Sequence, residues 1–215
     1  MIYAIVGAGG KTGLVKEMAA RFRREGKAVF VTTTTHMFIE EDTLLTDDGA
    51  VIIDALKKNG YAFAGIPAES KIMSLPAPVY AAACEVADEV LVEADGSKHM
   101  PLKFPNATEP VIPENADEIM VVCGLHGLNK PAKEACHRLE LVKQHLNISD
   151  DTLITPHHVY RLVMEGYVIP LRERYPEKKI TIVPRHDGSP CQRKIAALLI
   201  AEQDPGLMLA EGECP

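Results

Sequence analysis

Short apolar runs rich in β-branched residues alternate along this chain with amphipathic segments. The apolar runs predict buried strands at residues 2–6, 28–31, 89–92, 118–123 and 179–183. The amphipathic segments predict helices at residues 13–24, 78–87, 131–146, 155–165 and 190–202. Strands and helices that alternate in this way are typical of an α/β fold with a parallel sheet.

The remaining segments lack a clear period. Residues 38–48 are acidic and irregular, which predicts a loop or lid, and residues 51–56 and 61–66 predict a hairpin-like excursion. The proline-rich residues 100–113 predict a loop, and we expect a frayed tail after Asp204. We interpret residues 1–215 as one domain, in which residues 130–177 could form a helical subdomain.

The charge and composition of the chain argue against two classes of binding partner, nucleic acids and membranes. The net charge of −7 argues against sequence-independent nucleic-acid binding, which requires a basic surface. No apolar run approaches the ~20 residues of a membrane span. The N-terminus leads directly into the first predicted strand, without room for a signal peptide. We therefore expect a cytoplasmic protein with neither a nucleic-acid nor a membrane partner.

The first predicted strand runs into a glycine loop, Gly7-Ala8-Gly9-Gly10, followed by Lys11-Thr12 and a helix. Strand, glycine loop, Lys-Thr and helix is an arrangement that holds a polyphosphate. Backbone N–H groups turn toward the phosphates, the lysine reaches their outer oxygens, and the threonine hydroxyl can ligate Mg²⁺. The motif predicts a P-loop-NTPase-like three-layer α/β fold, with a mostly parallel sheet and helices on both faces. It also predicts Mg²⁺ with ATP or GTP as ligands.

The loop is shorter than the usual phosphate loop, because Ile5 stands where the first glycine would be. Gly7, Gly9 and Gly13 also fit a loose dinucleotide fingerprint, so an NADP-binding Rossmann oxidoreductase is an alternative. That alternative requires an acidic residue after the second strand to hold a ribose. The second strand ends instead in four threonines, residues 32–35, which favours the phosphate loop.

Two carboxylates follow the strand at residues 89–92. Glu93 and Asp95 come at the carboxyl end of a buried strand, which is the edge where open α/β sheets bind ligands. Asp95 is the candidate ligand of Mg²⁺ together with Thr12, and Glu93 is the candidate contact to water or substrate. The roles of the two carboxylates could be exchanged. With Lys11, they form the predicted catalytic set.

Two further segments carry weaker signals. Side chains of a strand alternate between faces, so some hydroxyls of the threonine run, here Thr33 and Thr34, are expected to face the ligand. Asp187 follows the last strand, where GTPases carry a base-reading Asn-Lys-x-Asp motif, but Pro184 and Arg185 replace its first two residues. Asp187 could still accept hydrogen bonds from a base. The histidines His126, His137, His157 and His158 match no zinc spacing.

The segment at residues 93–98, EADGSK, resembles the YqeC family when it is taken with residues 101–103 and 109–113 behind it. Members of that family are described as accessory proteins of selenium-dependent molybdenum hydroxylases. The GAGGKT segment, the threonine run and His137-Arg138-x-Glu140 are similar to the family as well, whereas residues 184–187 depart from it. The resemblance implies a role in maturation of the selenium-containing cofactor of such enzymes, with the hydroxylase or its cofactor as partner. Lys98 and Lys103 could then contact an anionic substrate.

Three hypotheses follow for the function. The first is an NTP-hydrolysing maturation factor or transferase. The second is a nucleotide-binding switch or chaperone that escorts a target enzyme and turns over its nucleotide slowly or not at all. The third is the NADP-binding oxidoreductase.

Overall fold

A computed structural model describes residues 1–201 of the chain, which adopt an α/β fold with a mostly parallel mixed sheet. The chain divides into two compact units. The first unit comprises residues 1–5, 11–96 and 111–119, and the second comprises residues 6–10, 97–110 and, as far as it is described, 120–201. The single-domain organisation expected from the sequence stays a prediction. The predicted tail after Asp204 lies outside the described residues.

The strands of the first unit pair mainly in parallel. They are β1 (Ile2–Gly7, whose last two residues belong to the second unit), β2 (Val29–Thr33), β3 (His36–Phe38), β4 (Thr43–Leu45), β5 (Tyr61–Ala68), β6 (Lys71–Met73) and β7 (Glu89–Glu93). Their order is β1-β7-β2-β5-β6-β3, and β4 also pairs with β5. The pairs β1–β7, β7–β2, β2–β5 and β4–β5 are parallel, whereas β6 is antiparallel to β5 and β3.

Three helices complete the first unit, α1 (Lys11–Arg24), α2 (Gly49–Asn59) and α3 (Ala77–Val86). The Asp48 side chain accepts a hydrogen bond from the Ala50 amide at the start of α2, and Gly60 ends this helix with a φ of 63°. The buried core of the unit packs α2 and α3 against the sheet, through Phe30, Ile52, Leu56, Ala62, Ala64, Leu75, Ala83, Val90 and Val92. Burial of these apolar side chains stabilises the sheet edge that carries the site.

The second unit is built from short elements. Its strands are β8 (Leu102–Lys103), β9 (Glu118–Gly124, from residue 120 onward), β10 (Cys136–His137) and β11 (Lys179–Arg185). Its helices are α4 (Ala132–Ala135), α5 (Leu139–Leu146), α6 (Pro156–Val163), α7 (Ile169–Arg174) and α8 (Pro190–Ala201), with a π-helical turn at Met164–Val168 between α6 and α7. β11 lies beside β9, and β8 pairs with β10 in parallel.

The structure confirms the predicted strands β1, β2, β7, β9 and β11 and the helices α1, α3 and α8. The hairpin-like excursion is wrong, because residues 51–56 lie in α2 and only residues 61–66 lie in a strand. The predicted loop at residues 38–48 contains β4, and the predicted helix at residues 131–146 is interrupted by β10. Within residues 1–201, the longest and most apolar helices do not meet the length and hydropathy of a membrane span.

Candidate phosphate-binding site

The glycine loop after β1 is held against other backbone of the second unit. A Cβ atom on Gly7 would lie 2.1 Å from the Val122 carbonyl oxygen, and one on Gly9 would lie 2.4 Å from the Pro101 carbonyl oxygen. Both glycines also have positive φ angles, 92° and 78°. The Ala8 amide donates a hydrogen bond of 2.9 Å to the Val122 carbonyl. The buried first half of the loop therefore packs on β9, and its Ala8 amide already has an acceptor.

The second half of the loop is open to solvent. Gly10 and Thr12 are exposed, and α1 begins between them at Lys11. The first amides of an α-helix have no acceptor within the helix, and the helix dipole favours a negative charge beside them. No acidic side chain lies in the first turn of α1. This helix start has the chemistry of a phosphate site.

Lys11 lies beside the two predicted carboxylates in the first unit. Its Nζ atom is 3.0 Å from Asp95 Oδ1 and 4.0 Å from Glu93 Oε1. The side chains of Lys11 and Asp95 are buried, with exposed fractions of 3% and 0%. Burying a charge is costly unless it is paired, so the ion pair with Asp95 compensates the Lys11 ammonium. The structure brings these three residues together, and their catalytic roles stay predictions.

Hydrogen bonds fix the end of β7 from both sides. The Ala94 amide donates to the Ile5 carbonyl at 2.9 Å, and the Val111 amide donates to the Ala94 carbonyl at 2.9 Å. The Thr33 hydroxyl donates to the Glu93 carbonyl at 2.7 Å. The backbone of the two residues before Asp95 is therefore anchored, which helps to hold its carboxylate near Lys11.

The threonine run donates its hydroxyl protons to the protein. Thr32 donates to the Ala64 carbonyl, Thr33 to the Glu93 carbonyl and Thr34 to the Val111 carbonyl, all within 3 Å. Thr33 is also the register partner of Glu93, so the run does lie at the sheet edge beside the carboxylates. A role for Thr33 and Thr34 in ligand binding stays a prediction. The structure gives these two hydroxyls a structural use that the sequence did not indicate.

An arginine of β11 lies against the glycine loop. A Cβ atom on Gly10 would lie 3.0 Å from Cγ and 3.3 Å from Nε of Arg185, so the Arg185 side chain crosses the Gly10 backbone. Both residues belong to the second unit. The sequence singled out Arg185 only as part of a degenerate base-reading motif. Its contact with Gly10 could not be predicted from the sequence, because the two residues are far apart along the chain.

Asp187 begins the turn that precedes α8. Its Oδ1 atom accepts a hydrogen bond of 2.8 Å from the Ser189 amide. This backbone hydrogen bond is the main cause of the lowered pKa of Asp187. The residue is exposed, and its predicted contact with a nucleotide base stays a prediction.

Cys123, in β9, is a buried free cysteine. Burial raises the pKa of its thiol to about 12, so the thiol stays protonated near neutral pH. Within residues 1–201, no three side chains of the His, Cys, Asp and Glu types are arranged to hold a metal ion. Mg²⁺ in nucleotide sites takes only one or two carboxylates and completes its shell with phosphates and water. Asp95 and the exposed Thr12 hydroxyl are chemically suited to such partial coordination.

Comparison with known proteins gives two matches. A family model described as YqeC protein matches residues 3–140, which include the glycine loop, the threonine run and both carboxylates. A relative from Escherichia coli (strain K12), described as "Uncharacterized protein YqeC", is 33% identical over 153 residues. The match covers 64% of this chain and 57% of that relative, so the chain spans a little over half of the relative's length.

Proposed function

We propose that this chain, which belongs to the YqeC family, is a nucleotide-binding accessory protein with a P-loop-like site. The observation that carries the proposal is the buried pair of Lys11 and Asp95, at 3.0 Å, directly after a glycine turn and at the start of a helix. A buried lysine and carboxylate at the ligand-binding edge of an α/β sheet are what Mg²⁺-nucleotide chemistry requires.

Each residue has a distinct role in the proposal. The amides of the first turn of α1 and the Lys11 ammonium bind the phosphates, and Lys11 neutralises their charge. The Thr12 hydroxyl and Asp95 hold Mg²⁺, which when bound would neutralise the charge that develops on the phosphates. Glu93 orients water or an acceptor group. Arg185, which crosses Gly10, adds a second positive charge beside the loop.

The biological setting is proposed from the family resemblance. The nucleotide is ATP or GTP, and its hydrolysis or transfer serves maturation of the cofactor of a selenium-dependent molybdenum hydroxylase. A switch that binds nucleotide without hydrolysis, and an oxidoreductase that binds NADP, are the other outcomes that the following experiment separates.

The experiment is a thermal-shift and calorimetric screen with ATP, GTP, CTP and NADPH, each with and without Mg²⁺. We expect stabilisation by one triphosphate that depends on Mg²⁺, because a ligand that binds only the folded state raises its stability. Lys11→Ala should weaken that binding by about 100-fold, since it removes a charge-assisted contact to the phosphates. Lys16→Ala, on the exposed face of α1, is the matched control and should bind normally.

A check of the fold and two further variants complete the test. Lys11→Ala removes the partner of buried Asp95, so its fold is checked by circular dichroism. Thr12→Ala changes only an exposed side chain and should weaken the Mg²⁺ dependence. If the protein is an NTPase, Asp95→Asn should abolish its Mg²⁺-dependent hydrolysis. If it is a switch that only binds nucleotide, the unmodified protein has little hydrolysis and Asp95→Asn should change the rate little. Unchanged triphosphate affinity in folded Lys11→Ala, or a shift with NADPH alone, refutes the phosphate-loop proposal.

A further inference from the structure

A cluster of charged side chains lies in the second unit and has no role in the proposed nucleotide site. We call it the Lys103 cluster and define it as Lys98, Lys103, Glu109, His137 and Arg138. β8 and β10 place it, since Lys103 and His137 are register partners in these two short parallel strands. Both strands are only two residues long, and they carry two of the five members.

One carboxylate oxygen joins two cations in the cluster. Lys103 Nζ and Arg138 Nη2 both donate to Glu109 Oε2, at 2.8 and 2.9 Å. The Lys103 side chain is fully buried. Burial alone would raise the pKa of Glu109, but its hydrogen bonds and charge interactions with Lys103 and Arg138 lower that pKa overall. Glu109 is therefore ionised near neutral pH and neutralises one positive charge.

Several cations act on the His137 imidazole. Burial is the largest cause of the lowered pKa of His137, and the next causes are the charges of Lys103, Arg138 and Lys98. The charge of Glu109 acts in the opposite direction on this imidazole. The three cations therefore favour the neutral form of His137.

The Arg138 side chain has a hydrogen-bond donor without an acceptor among the residues that the structure describes. Its Nε atom is buried and has no hydrogen-bond acceptor among residues 1–201, although a guanidinium has five N–H donors. An unsatisfied buried donor is costly, because it has lost its hydrogen bond to water without gaining another. The Arg138 backbone is also left-handed, with a φ of 59°.

The surrounding backbone favours an anion as well. Arg138 is the N-terminal flanking residue of α5, and it supplies no side-chain cap to that helix. The uncapped first turn of a helix stabilises negative charge. Lys98 is exposed and, like Arg138, has a positive φ, in its case 47°.

We propose that the Lys103 cluster binds an anionic group, a phosphate or a carboxylate, of a small-molecule ligand. Arg138 and Lys98 donate to the anion, and Glu109 holds Arg138 in place and limits the affinity through its own negative charge. The group belongs to an anionic substrate other than the nucleotide. The cluster stands on its own geometry, so it does not depend on the role assigned to Lys11.

The test uses inorganic phosphate as the probe and the His137 resonance as the reporter. Histidine signals of the whole chain are followed by NMR across pH, at phosphate concentrations up to about 10 mM, which fill a site with a Kd of about 1 mM. His137→Gln assigns the resonance. Bound phosphate should raise the pKa of His137, because a nearby negative charge favours the imidazolium.

Variants then separate an anion site from a purely structural ion pair. Lys98→Ala and Arg138→Gln should each weaken phosphate binding by about 10-fold, through loss of one charge-assisted contact. Glu109→Gln should strengthen it, since it removes the competing negative charge. Lys194→Ala, an exposed lysine of α8, is the matched control and should behave like the unmodified protein. If the cluster were only a structural ion pair, Glu109→Gln would not raise the affinity for phosphate while Lys98→Ala lowers it.

An unchanged His137 pKa at every phosphate concentration overturns the proposal, as does phosphate binding that is unaffected by both Lys98→Ala and Arg138→Gln. Because these phosphate titrations need no nucleotide, they test the Lys103 cluster even if the nucleotide site at Lys11 is refuted.

Discussion

At the scale of single residues, the glycine loop is explained first by packing. Gly7 meets the Val122 carbonyl so closely that no side chain fits, and this contact lies within the protein itself. The requirement for glycine is therefore partly structural. Phosphate-loop glycines are usually explained by the approach of phosphate to the backbone. In this chain, only Gly10 of the three loop glycines is exposed.

Gly7→Ala should destabilise the protein strongly. Its Cβ would overlap the Val122 carbonyl oxygen at 2.1 Å, so the backbone must move, and we expect a loss of about 3 kcal/mol or more in the free energy of unfolding. Gly26→Ala is the matched control. Gly26 also has a positive φ, 78°, but open space around the new Cβ, so its loss should be about 1–2 kcal/mol. Urea unfolding of both variants checks the difference, and equal losses would contradict the packing explanation.

The sequence predicted this part of the molecule well for local reasons. The apolar run of β1, the glycines and the amphipathic α1 are all encoded within a few residues. Glu93 and Asp95 follow because carboxyl ends of parallel strands share one edge. By contrast, the contact of Arg185 with Gly10 and that of Arg138 with Glu109 join residues far apart in the chain. Their spacing carries no signal, because it depends on how β8, β10 and β11 are placed.

At the scale of elements, the errors arise from short apolar runs that fit both strand and helix. Residues 51–56 are apolar over too short a window to distinguish the two by period. The residues that end this segment distinguish helix from strand, since Asp48 caps the start of α2 and Gly60 terminates it. β10 interrupts a predicted helix where Arg138 takes a left-handed conformation, which ordinary residues adopt only under tertiary constraint.

β11 carries Arg185 to the glycine loop, and the proposed function gives that placement a measurable effect. Arg185→Ala should weaken binding of the Mg²⁺-triphosphate by about 10-fold, through loss of a positive charge beside the phosphates. Arg185→Lys should retain part of the affinity, because the charge remains while the planar fork is lost. Arg193→Ala, an exposed arginine of α8, is the control. Calorimetric titration checks all three, and normal affinity in Arg185→Ala would remove Arg185 from the site.

At the scale of the whole molecule, buried and half-buried ion pairs link stability to pH. Glu109 has a lowered pKa in the folded protein because Lys103 and Arg138 outweigh its burial. A carboxylate of this kind contributes stability above its unfolded pKa of about 4.3, and that contribution disappears as the pH falls through the folded pKa. Acid should therefore weaken the fold partly through the Lys103 cluster.

Glu109→Gln should be less stable than the unmodified protein at neutral pH, and the difference should shrink as the pH is lowered below the unfolded pKa of glutamate. Protonation of Glu109 then makes the unmodified protein resemble the variant. Glu140→Gln, which changes an exposed carboxylate of α5 paired with Lys143, is the control and should alter stability little at any pH. Urea unfolding across a pH series measures both. A gap that stays constant with pH would show that the charge of Glu109 contributes nothing.

The hydrogen bond from Ala8 to Val122, together with the close backbone contacts of Gly7 and Gly9, has a consequence for the thermodynamics of recognition. A loop already immobilised on its own scaffold surrenders little conformational entropy when an anion arrives. The affinity of the loop for an anion then depends on charge and on the water released from the helix start. We therefore expect the fraction of bound anion to fall as the salt concentration rises. The loop has already lost this conformational entropy during folding.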